Sequence, residues 1–450
     1  MLEDRAVIIS VIVTIHNAEK YIRECLNSVM SQSFSNIEIL CMDGGSTDES
    51  PQILQKYAEE DSRIRIINDS NTSYGHKVNR GIEEARGEYI SVLESDDMYE
   101  PFMLEKLYEI AERYYVDFVN ADYTSFFDIN GERITQIVKM YPKDMYNRLI
   151  NYKEQPELFG IIPRFWTGLF RKTYLERENI RMNESPGASY QDMSFRFLTS
   201  ILAERAYHLD ASVYLYRIDN PDSSMYDAKK TIVIAEEHDF LKQQLIKRNV
   251  TNSYVWHNAY QWKYTDFLGN MGHLKGAYRQ ELFQRYLDEL EKDRDDLKCY
   301  LHLGYSRVVS EMITETPEKV EQLIEAEVRE KTARQRHIYR FLDKITRLDA
   351  KDSIVVFGCG KRGTWILELI KFVDKQICCL TDNSKTLWNT MKDGHEILPP
   401  IDTVERYPDA FYVVANKFYG KDIESQLRSM GICQDKIWVY GETCDEDNPS

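Results

Sequence analysis

Four consecutive residues, Glu94-Ser95-Asp96-Asp97, crowd carboxylates into one short turn. Carboxylate oxygens are hard donors and suit a divalent cation such as Mn2+ or Mg2+. A cation held there could neutralise a departing diphosphate. The plainer reading is an Asx-type turn that starts the helix expected over Pro101–Tyr114. Similar positions recur upstream: Asp43 follows the apolar run Ile39–Met42, and His16 and Asn17 follow Val7–Thr14. Ligands bind in the crevice at the carboxyl ends of strands in open sheets, so polar groups at successive strand ends are candidates as a set. Farther on, Asp192 closes the stretch Pro186-Gly187-Ala188-Ser189-Tyr190-Gln191-Asp192. It could take a proton as a general base or cap the helix expected from Met193. His76 and Lys77, after Tyr74-Gly75, place cations at another crevice-facing turn, where either could touch a diphosphate or simply be solvated in the loop. Arg217 could contact phosphate or form a structural ion pair, and His208 could bind metal or sit in a core.

The elements that must position these groups alternate. Strand-like runs are Val7–Thr14, Ile37–Met42, Ile64–Asn68, Glu88–Leu93 and Phe118–Asn120. Helical patterns are Ala18–Ser31, a segment entered through Gly44–Asp48, Lys77–Ala85 and Pro101–Tyr114. Asp48 is a better N-cap than Ser46, because it leaves Pro51 in the first turn, where its missing N–H is tolerated. Repeated βα units predict a mostly parallel sheet covered by helices. Residues 121–225 are less regular, with strand signals at Arg133–Met140 and Ser212–Arg217 and a helix over Met193–Glu204. They read as a substrate-specific extension. Residues 228–343 turn helical, and their charged runs Glu289–Asp296 and Glu325–Arg340 read as solvated faces.

The 450 residues carry 57 Lys plus Arg against 74 Asp plus Glu, a net charge of −17. That balance argues against a basic nucleic-acid binder and against long-range attraction to an anionic bilayer. No signal peptide and no apolar run of membrane-spanning length is expected. Eight scattered cysteines without CxxC spacing fit a reducing cytoplasm and argue against a structural zinc site.

Taken together, Val11–Asn17, Cys25–Val29, Asp43–Asp48 and Asn79–Tyr89 resemble the nucleotide-binding half of family 2 glycosyltransferases of the GT-A fold. Glu94-Ser95-Asp96-Asp97 resembles their metal-binding DxD region, and Tyr190-Gln191-Asp192 their acidic base segment. Tyr214-Leu215-Tyr216-Arg217 with Ser223-Ser224 resembles the Y-x-Y-R…S ending of bacterial members. The resemblance covers roughly residues 7–225. It implies that Asp43 recognises the base of a nucleotide sugar and that Thr14, His16 and Asn17 line the same pocket. Lys77, Glu94, Ser95 and Asp96 would complete the donor site. Asp96, helped by Glu94, would hold Mn2+ or Mg2+, and Asp192 would be the catalytic base. Trp166 and Tyr190 could stack on acceptor sugars or pack in the core. The sequence departs from the family at several points. Asp43-Gly44-Gly45-Ser46 replaces Asp-Asp-Gly-Ser, and Thr14 and His16 replace the usual Pro and Tyr. Val78-Asn79 replaces Arg-Asn, Gln191-Asp192 replaces Glu-Asp, and Glu94 replaces the first Asp of DxD.

Near Lys351 a second α/β pattern begins. Gly358-Cys359-Gly360-Lys361-Arg362-Gly363 lies between the strand Ile354–Phe357 and a helix, and Asp382 ends the next strand. This fits a dinucleotide fingerprint, in which an acid binds a ribose. It resembles small Rossmann-like domains attached to bacterial surface-polysaccharide enzymes, which serve assembly or nucleotide binding.

The expected fold class is α/β: an N-terminal GT-A domain (1–225), a helical middle (226–347), a small C-terminal Rossmann-like domain (348–441) and an acidic tail (442–450). The expected function is inverting, metal-dependent transfer of a sugar, from a UDP-sugar by family weight, to a hydroxyl of a glycan or lipid-linked acceptor in surface-polysaccharide synthesis. The alternatives are a catalytically weak nucleotide-sugar-binding scaffold and a dehydrogenase built on Gly358–Gly363. A cytoplasmic protein working at the inner face of the membrane, in contact with membrane-bound machinery and self-associating, fits the same reading.

Overall fold

The computed structural model describes residues 7–129, 132–160, 163–188, 190–220, 233–271, 274, 276–305, 307–316, 319–320, 322–326, 341, 344–349, 352–372, 375–416 and 419–439. Ser189, the Ser223-Ser224 pair, most of the run 325–340 and the acidic tail lie outside them. The chain divides into two compact units, 1–324 and 325–450.

In the first unit, β1 (Ile9–Ile15) and β2 (Ile37–Asp43) are buried along their whole length. Runs of Ile, Val and Leu without alternation are what parallel strands covered on both faces require. β3 (Ile64–Asn68) and β4 (Tyr89–Glu94) flank them in the parallel order β3-β2-β1-β4. The covering helices are α1 (Ile22–Met30), α2 (Ser50–Glu60), α3 (Tyr74–Glu84) and α4 (Met103–Tyr114). In α1 the stripe Ile22, Cys25, Leu26 and Val29 is buried, as the 3.6-residue period demands.

Two helix starts are informative. Asp48 accepts the Ser50 amide at 2.9 Å with one oxygen and the Glu19 amide at 3.0 Å with the other. Asp48 thus ties α2 to the turn before α1, but the N-cap is Glu49, one residue later than expected and without a side-chain cap bond. α3 starts at Tyr74, not at Lys77, because Ser73 caps it by accepting the His76 amide at 3.2 Å.

The sheet is more mixed than the βα alternation implied. Beyond β4 it continues through β9 (Gly168–Arg171), β6 (Phe118–Ile129), β10 (Ala206–Arg217) and β5 (Met98–Tyr99). β9 runs antiparallel to both neighbours, whereas β6 and β10 pair parallel. β6 outruns its expected end at Asn120 and forms a hairpin with β7 (Glu132–Val138), and β8 (Leu149–Ile150) pairs with the start of β10. α5 (Lys172–Arg177) follows β9, and α6 (Asp192–Ile201) precedes β10.

The helices Ile234–Lys247, Ser253–Met271 and Gly276–Cys299 pack in the same unit. Trp262 stacks on Phe197 of α6 with centroids 5.8 Å apart. Lys263 lies buried between Glu289 (2.7 Å) and Asp293 (2.6 Å), which locks the second of these helices to the third.

The second unit holds a six-stranded sheet of order β13-β14-β12-β11-β15-β16: Thr390–Lys392, His395–Leu398, Ile377–Thr381, Ile354–Phe357, Phe411–Val414 and Ile437–Val439. Only the edge pair β13–β14 is antiparallel. The expected class thus holds: an α/β unit with a helical middle and a separate, smaller α/β sheet. Among the described residues, no helix is long and apolar enough to cross a membrane.

Candidate functional site

Strand register brings the first candidates together. In the β1–β2 ladder Ile15 faces Asp43, and in the β1–β4 ladder Thr14 faces Glu94. Thr14 Oγ1 donates to Glu94 Oε2 at 2.9 Å, and the Tyr74 hydroxyl donates to Oε1 at 2.5 Å. Both Glu94 oxygens are therefore engaged. Burial pushes the Glu94 carboxyl up to about 7, against these two hydrogen bonds and with help from the charges of Asp96 and Asp192. Asp192 is thus near enough to act on Glu94, across the boundary between the first half-sheet and α6.

Asp43 uses Oδ1 to accept from the Ser46 amide (3.0 Å) and hydroxyl (2.6 Å), which shapes the turn after β2. His16 Nδ1 donates to the Gly44 carbonyl at 3.2 Å. Asn17 adopts a left-handed φ of 52°, accepts the Thr47 amide at 2.8 Å and donates its own amide to Ser46 Oγ at 2.9 Å. The segments after β1 and β2 are thereby stitched into one rim. Lys77 is buried, with its Nζ 3.4 Å from the Ile15 carbonyl. Burial lowers its pKa, opposed by the charges of Glu94 and Asp43.

In the acidic turn the roles separate. Ser95 and Asp96 are half-buried, and Asp96 Oδ2 accepts from Asn220 Nδ2 at 2.7 Å. Asp97 points inward: it accepts from the Tyr214 hydroxyl (2.8 Å) and the Arg217 amide (2.8 Å). Burial, followed by the Asp96 charge, raises its pKa well above the carboxylate range. Asp97 pins β10 beneath the turn and leaves Asp96 as the acid on the cleft side. Arg217 settles as an ion-pair hub, bonded to Glu24 (2.6 Å), Asp128 (3.3 Å), Asp219 (3.4 Å) and the Asp96 carbonyl (3.0 Å). Among the described residues, no group of three or more His, Cys, Asp or Glu is placed to hold a metal ion.

Asp192 is the first residue of α6 and pairs with Arg196 one turn later at 3.0 Å. Gln191 is the N-cap, without a side-chain cap bond, so Asp192 does not cap the helix. The preceding segment is held from several sides. Tyr74 N donates to Gly187 O (2.7 Å), and Asn79 brackets Met182 through both its amide oxygen (2.9 Å) and nitrogen (3.0 Å). Glu184 accepts from Asn79 (2.9 Å) and His76 (2.9 Å), and Tyr190 donates to Asn270 Oδ1 at 2.7 Å. A Cβ at Gly75 would lie 1.8 Å from the Asn183 carbonyl, so the approach of this segment to α3 requires glycine there. His76 also meets Asp69 at 2.8 Å, and these two carboxylates raise its pKa, the Glu184 bond most. His76 is therefore a strut between two acids.

Two further candidates belong to the core. His208 is buried, stacks on Tyr141 with centroids 3.8 Å apart, and is pushed by burial down to about 3. Trp166 is buried against Tyr216, Tyr214 and Tyr123. In the second unit, Asp382 accepts the Cys359 amide and the Ser384 amide, both at 2.8 Å, so its carboxylate braces the Gly358–Gly363 loop.

Sequence reasoning passed over Tyr74, Asn220 and Glu237. Glu237, buried on the helix Ile234–Lys247, accepts from Ser185 (2.5 Å) and Asn183 (3.0 Å). No local pattern marks these three; only the fold brings them to the site.

Residues 10–175 match the family model for glycosyl transferase family 2, and residues 350–438 match the model described as C2185-like, N-terminal. The chain is similar to an uncharacterized glycosyltransferase, EpsJ of Bacillus subtilis, at 32% identity over 48% of this chain and 62% of that one. It thus spans about three fifths of that curated relative's length. An uncharacterized glycosyltransferase of Haemophilus influenzae is 30% identical over 42% of this chain and 70% of its own. Among solved structures, residues 1–349 of S. aureus TarS in complex with UDP-GlcNAc align at 19% identity, covering 71% of this chain and 91% of that one, with a TM-score of 0.49. The family match falls on the strands and turns that carry Thr14, Asp43, Lys77, Glu94 and Asp96, and the Haemophilus relative is matched over most of its length: the chain belongs to glycosyltransferase family 2.

Proposed function

We propose that this protein transfers a sugar from a nucleoside-diphosphate sugar to a hydroxyl of a glycan or lipid-linked acceptor, with inversion at the anomeric carbon. The observation that carries this reading is the convergence of carboxylates from separate segments. Glu94 ends β4, Asp96 lies in the turn just after it, and the charge of Asp192, which starts α6, acts on Glu94 and Tyr74.

In the proposed reaction, Thr14, His16, Asn17, Asp43 and Lys77 bind the nucleoside, and Glu94 and Ser95 border the ribose and diphosphate. Asp192 takes the proton of the acceptor hydroxyl as its oxygen bonds to the anomeric carbon. The bond to the diphosphate breaks in the same displacement, and its electron pair leaves with the nucleoside diphosphate. Arg196 holds the Asp192 carboxylate at 3.0 Å, which fixes its direction.

The chain offers a divalent cation little on its own. Glu94 has a hydroxyl on each oxygen, and Asp96 keeps one oxygen beyond its bond to Asn220. That fits Mg2+ or Mn2+ held by one carboxylate plus substrate phosphates, rather than a protein-only site. Bound so, the ion would supply charge neutralisation to the leaving diphosphate. Asp96 is its first ligand in this reading and Glu94 a supporting one.

A role in cell-surface polysaccharide synthesis, at the cytoplasmic face of the membrane, follows the family's bacterial members. Within this reading residues 1–225 are the transferase domain and 226–347 a helical region beside it. Residues 348–441 would serve assembly or nucleotide binding, with or without self-association of the chain.

The test is release of nucleoside diphosphate from a panel of sugar nucleotides, with and without Mn2+ or Mg2+, by the wild type and Asp96→Asn. Metal-dependent release that Asp96→Asn abolishes is expected. Saturable nucleotide binding without turnover, even with added glycan acceptors, would favour a binding scaffold instead. Failure to bind any sugar nucleotide would overturn the reading.

A further inference from the structure

The guanidinium of Arg196 is the group that aims Asp192, and it needs holding itself. Nη1 donates to Asp192 Oδ2 at 3.0 Å and Nε donates to the Pro163 carbonyl at 2.8 Å. The Arg196 side chain is 11% exposed, that of Asp192 24%. Burial lowers the Arg196 pKa, and the charge of Asp192 opposes this. The charge of Asp266 opposes it too, so a second carboxylate competes for the same cation. A buried cation with two acids in reach keeps one direction only where its surroundings impose it.

The surroundings come from the helical middle. The ring centroid of Trp262, on the helix Ser253–Met271, lies 5.3 Å from Arg196 Cζ, within cation–π range. The same indole stacks on Phe197, the next residue of α6, at 5.8 Å and 17°. His238, from the helix Ile234–Lys247, meets it edge-on at 6.1 Å and 88°. Contacts with two other helices thus fix the plane against which Arg196 rests. Asp266, one turn after Trp262, lies 3.4 Å from His238 Nε2.

The turn that leads into Asp192 is held from the same helix. Tyr190 has a left-handed φ of 58°, and its hydroxyl donates to Asn270 Oδ1 at 2.7 Å. A non-glycine residue with that backbone is uncommon and persists where neighbours hold it. Trp262 and Asn270 both lie beyond residues 10–175, the stretch matched to the family, yet in the same compact unit as Asp192.

We propose that Trp262 and Asn270 are positioning residues for Asp192: Trp262 keeps Arg196 directed at Asp192 and away from Asp266, and Asn270 fixes the Tyr190 turn. This rests on the transferase reading above. Neither residue touches the reacting atoms. The helix Ser253–Met271 is then a working part of the transferase.

The experiment is release of nucleoside diphosphate by the full chain in Mn2+, with added glycan acceptors, from UDP-glucose, UDP-galactose, UDP-N-acetylglucosamine and GDP-mannose. Trp262→Leu, Trp262→Phe, Asn270→Leu and Asn270→Asp are compared, and the two leucine variants are also made in an Asp192→Asn background. Melting curves establish that each variant is folded. Trp262→Phe keeps an aromatic face and Asn270→Asp keeps an acceptor oxygen, so the test does not hang on the leucine variants folding. Trp262→Leu is expected to lower kcat about 3- to 30-fold, the range for a desolvated cation–π contact. Asn270→Leu should lower it about 2- to 10-fold, the range for one hydrogen bond. The KM for the donor should stay within about twofold in both. Trp262→Phe should keep part of the rate and Asn270→Asp most of it. In the Asp192→Asn background the leucine substitutions should cost less than about twofold, because residues that act through a carboxylate lose their effect with it.

Equal losses in the two backgrounds would overturn the proposal, by making the contacts merely structural. Full activity of Trp262→Leu and Asn270→Leu would overturn it as well, as would losses confined to KM. Those outcomes leave the transferase reading standing. A wild type that turns over none of the donors overturns that reading and this proposal together.

Discussion

The hydroxyl of Tyr74 donates to Glu94 Oε1 at 2.5 Å, while the amide of the same tyrosine donates to Gly187 O at 2.7 Å. One residue thus touches the acid that ends β4 and the segment that leads to Asp192. Tyr74→Phe removes the first contact and keeps the second. A hydrogen bond to a charged group contributes about 1.5–3 kcal/mol, so kcat/KM is expected to fall about 10- to 100-fold. Backbone order at Gly187 should persist, and hydrogen exchange at the Tyr74 amide would register it. An unchanged kcat/KM would mean that Glu94 needs no such anchor.

Asp192→Asn keeps the shape of the first turn of α6 and removes the proton acceptor. Turnover is expected to drop about 100- to 10,000-fold, the range for loss of a general base. Donor affinity should stay within about threefold if Asp192 is the acceptor-side base proposed above. Steady-state kinetics alongside UDP titration separate the two. A variant that loses donor binding and turnover together would place Asp192 in the donor pocket.

His76 makes a pH-dependent contribution to stability. Its folded pKa is raised above the ordinary value of 6.5 by Glu184 first and also by Asp69, while Arg80 adds an opposing charge beside Asp69. For a base raised on folding, the stabilisation is complete below the unfolded pKa and fades as pH climbs through the folded one. His76→Gln should therefore lower the melting temperature clearly at pH 5.5 and much less at pH 9. Melts across that range check it; a pH-independent difference would show that the imidazole charge contributes nothing.

Gly75→Ala tests the packing of α3 against the 182–188 segment. With a Cβ 1.8 Å from the Asn183 carbonyl, backbone must move. A loss of about 1–3 kcal/mol in urea unfolding is expected, with a fall in turnover beyond what reduced stability explains at low temperature. Wild-type stability in this variant would mean that the segment is free to shift.

The strand ends were legible because they follow uninterrupted apolar runs. Ile9–Ile15 and Ile37–Asp43 are buried on both faces, and a buried parallel strand has no alternation to confuse with a helix. Asp43 and Asp96 could be placed for that reason. The start of α3 was harder, because Ser73 sits in the polar run Asp69–Ser73 and its capping role depends on one side-chain bond. Asp97 and Asp96 look alike in sequence, and only the long reach of β10, through Tyr214 and Arg217, separates the anchor from the cleft-side acid. Arg217 had a ligand-facing reading beside a structural one, and the protein's own carboxylates took the contact.

The first turn of α3 also sets the size of the piece that could be exchanged between relatives. Tyr74, His76 and Asn79 each bond to the 182–188 segment, and Gly75 admits it. A chimera that imports this segment from a homologue, to change which acceptor is used, would leave those bonds without matching partners. The natural unit of transplantation is the segment together with residues 73–79, two stretches about a hundred positions apart in the chain that behave as one cassette. Lys77, proposed above as a donor-site residue, rides on the same turn, so swapping the cassette would carry it along.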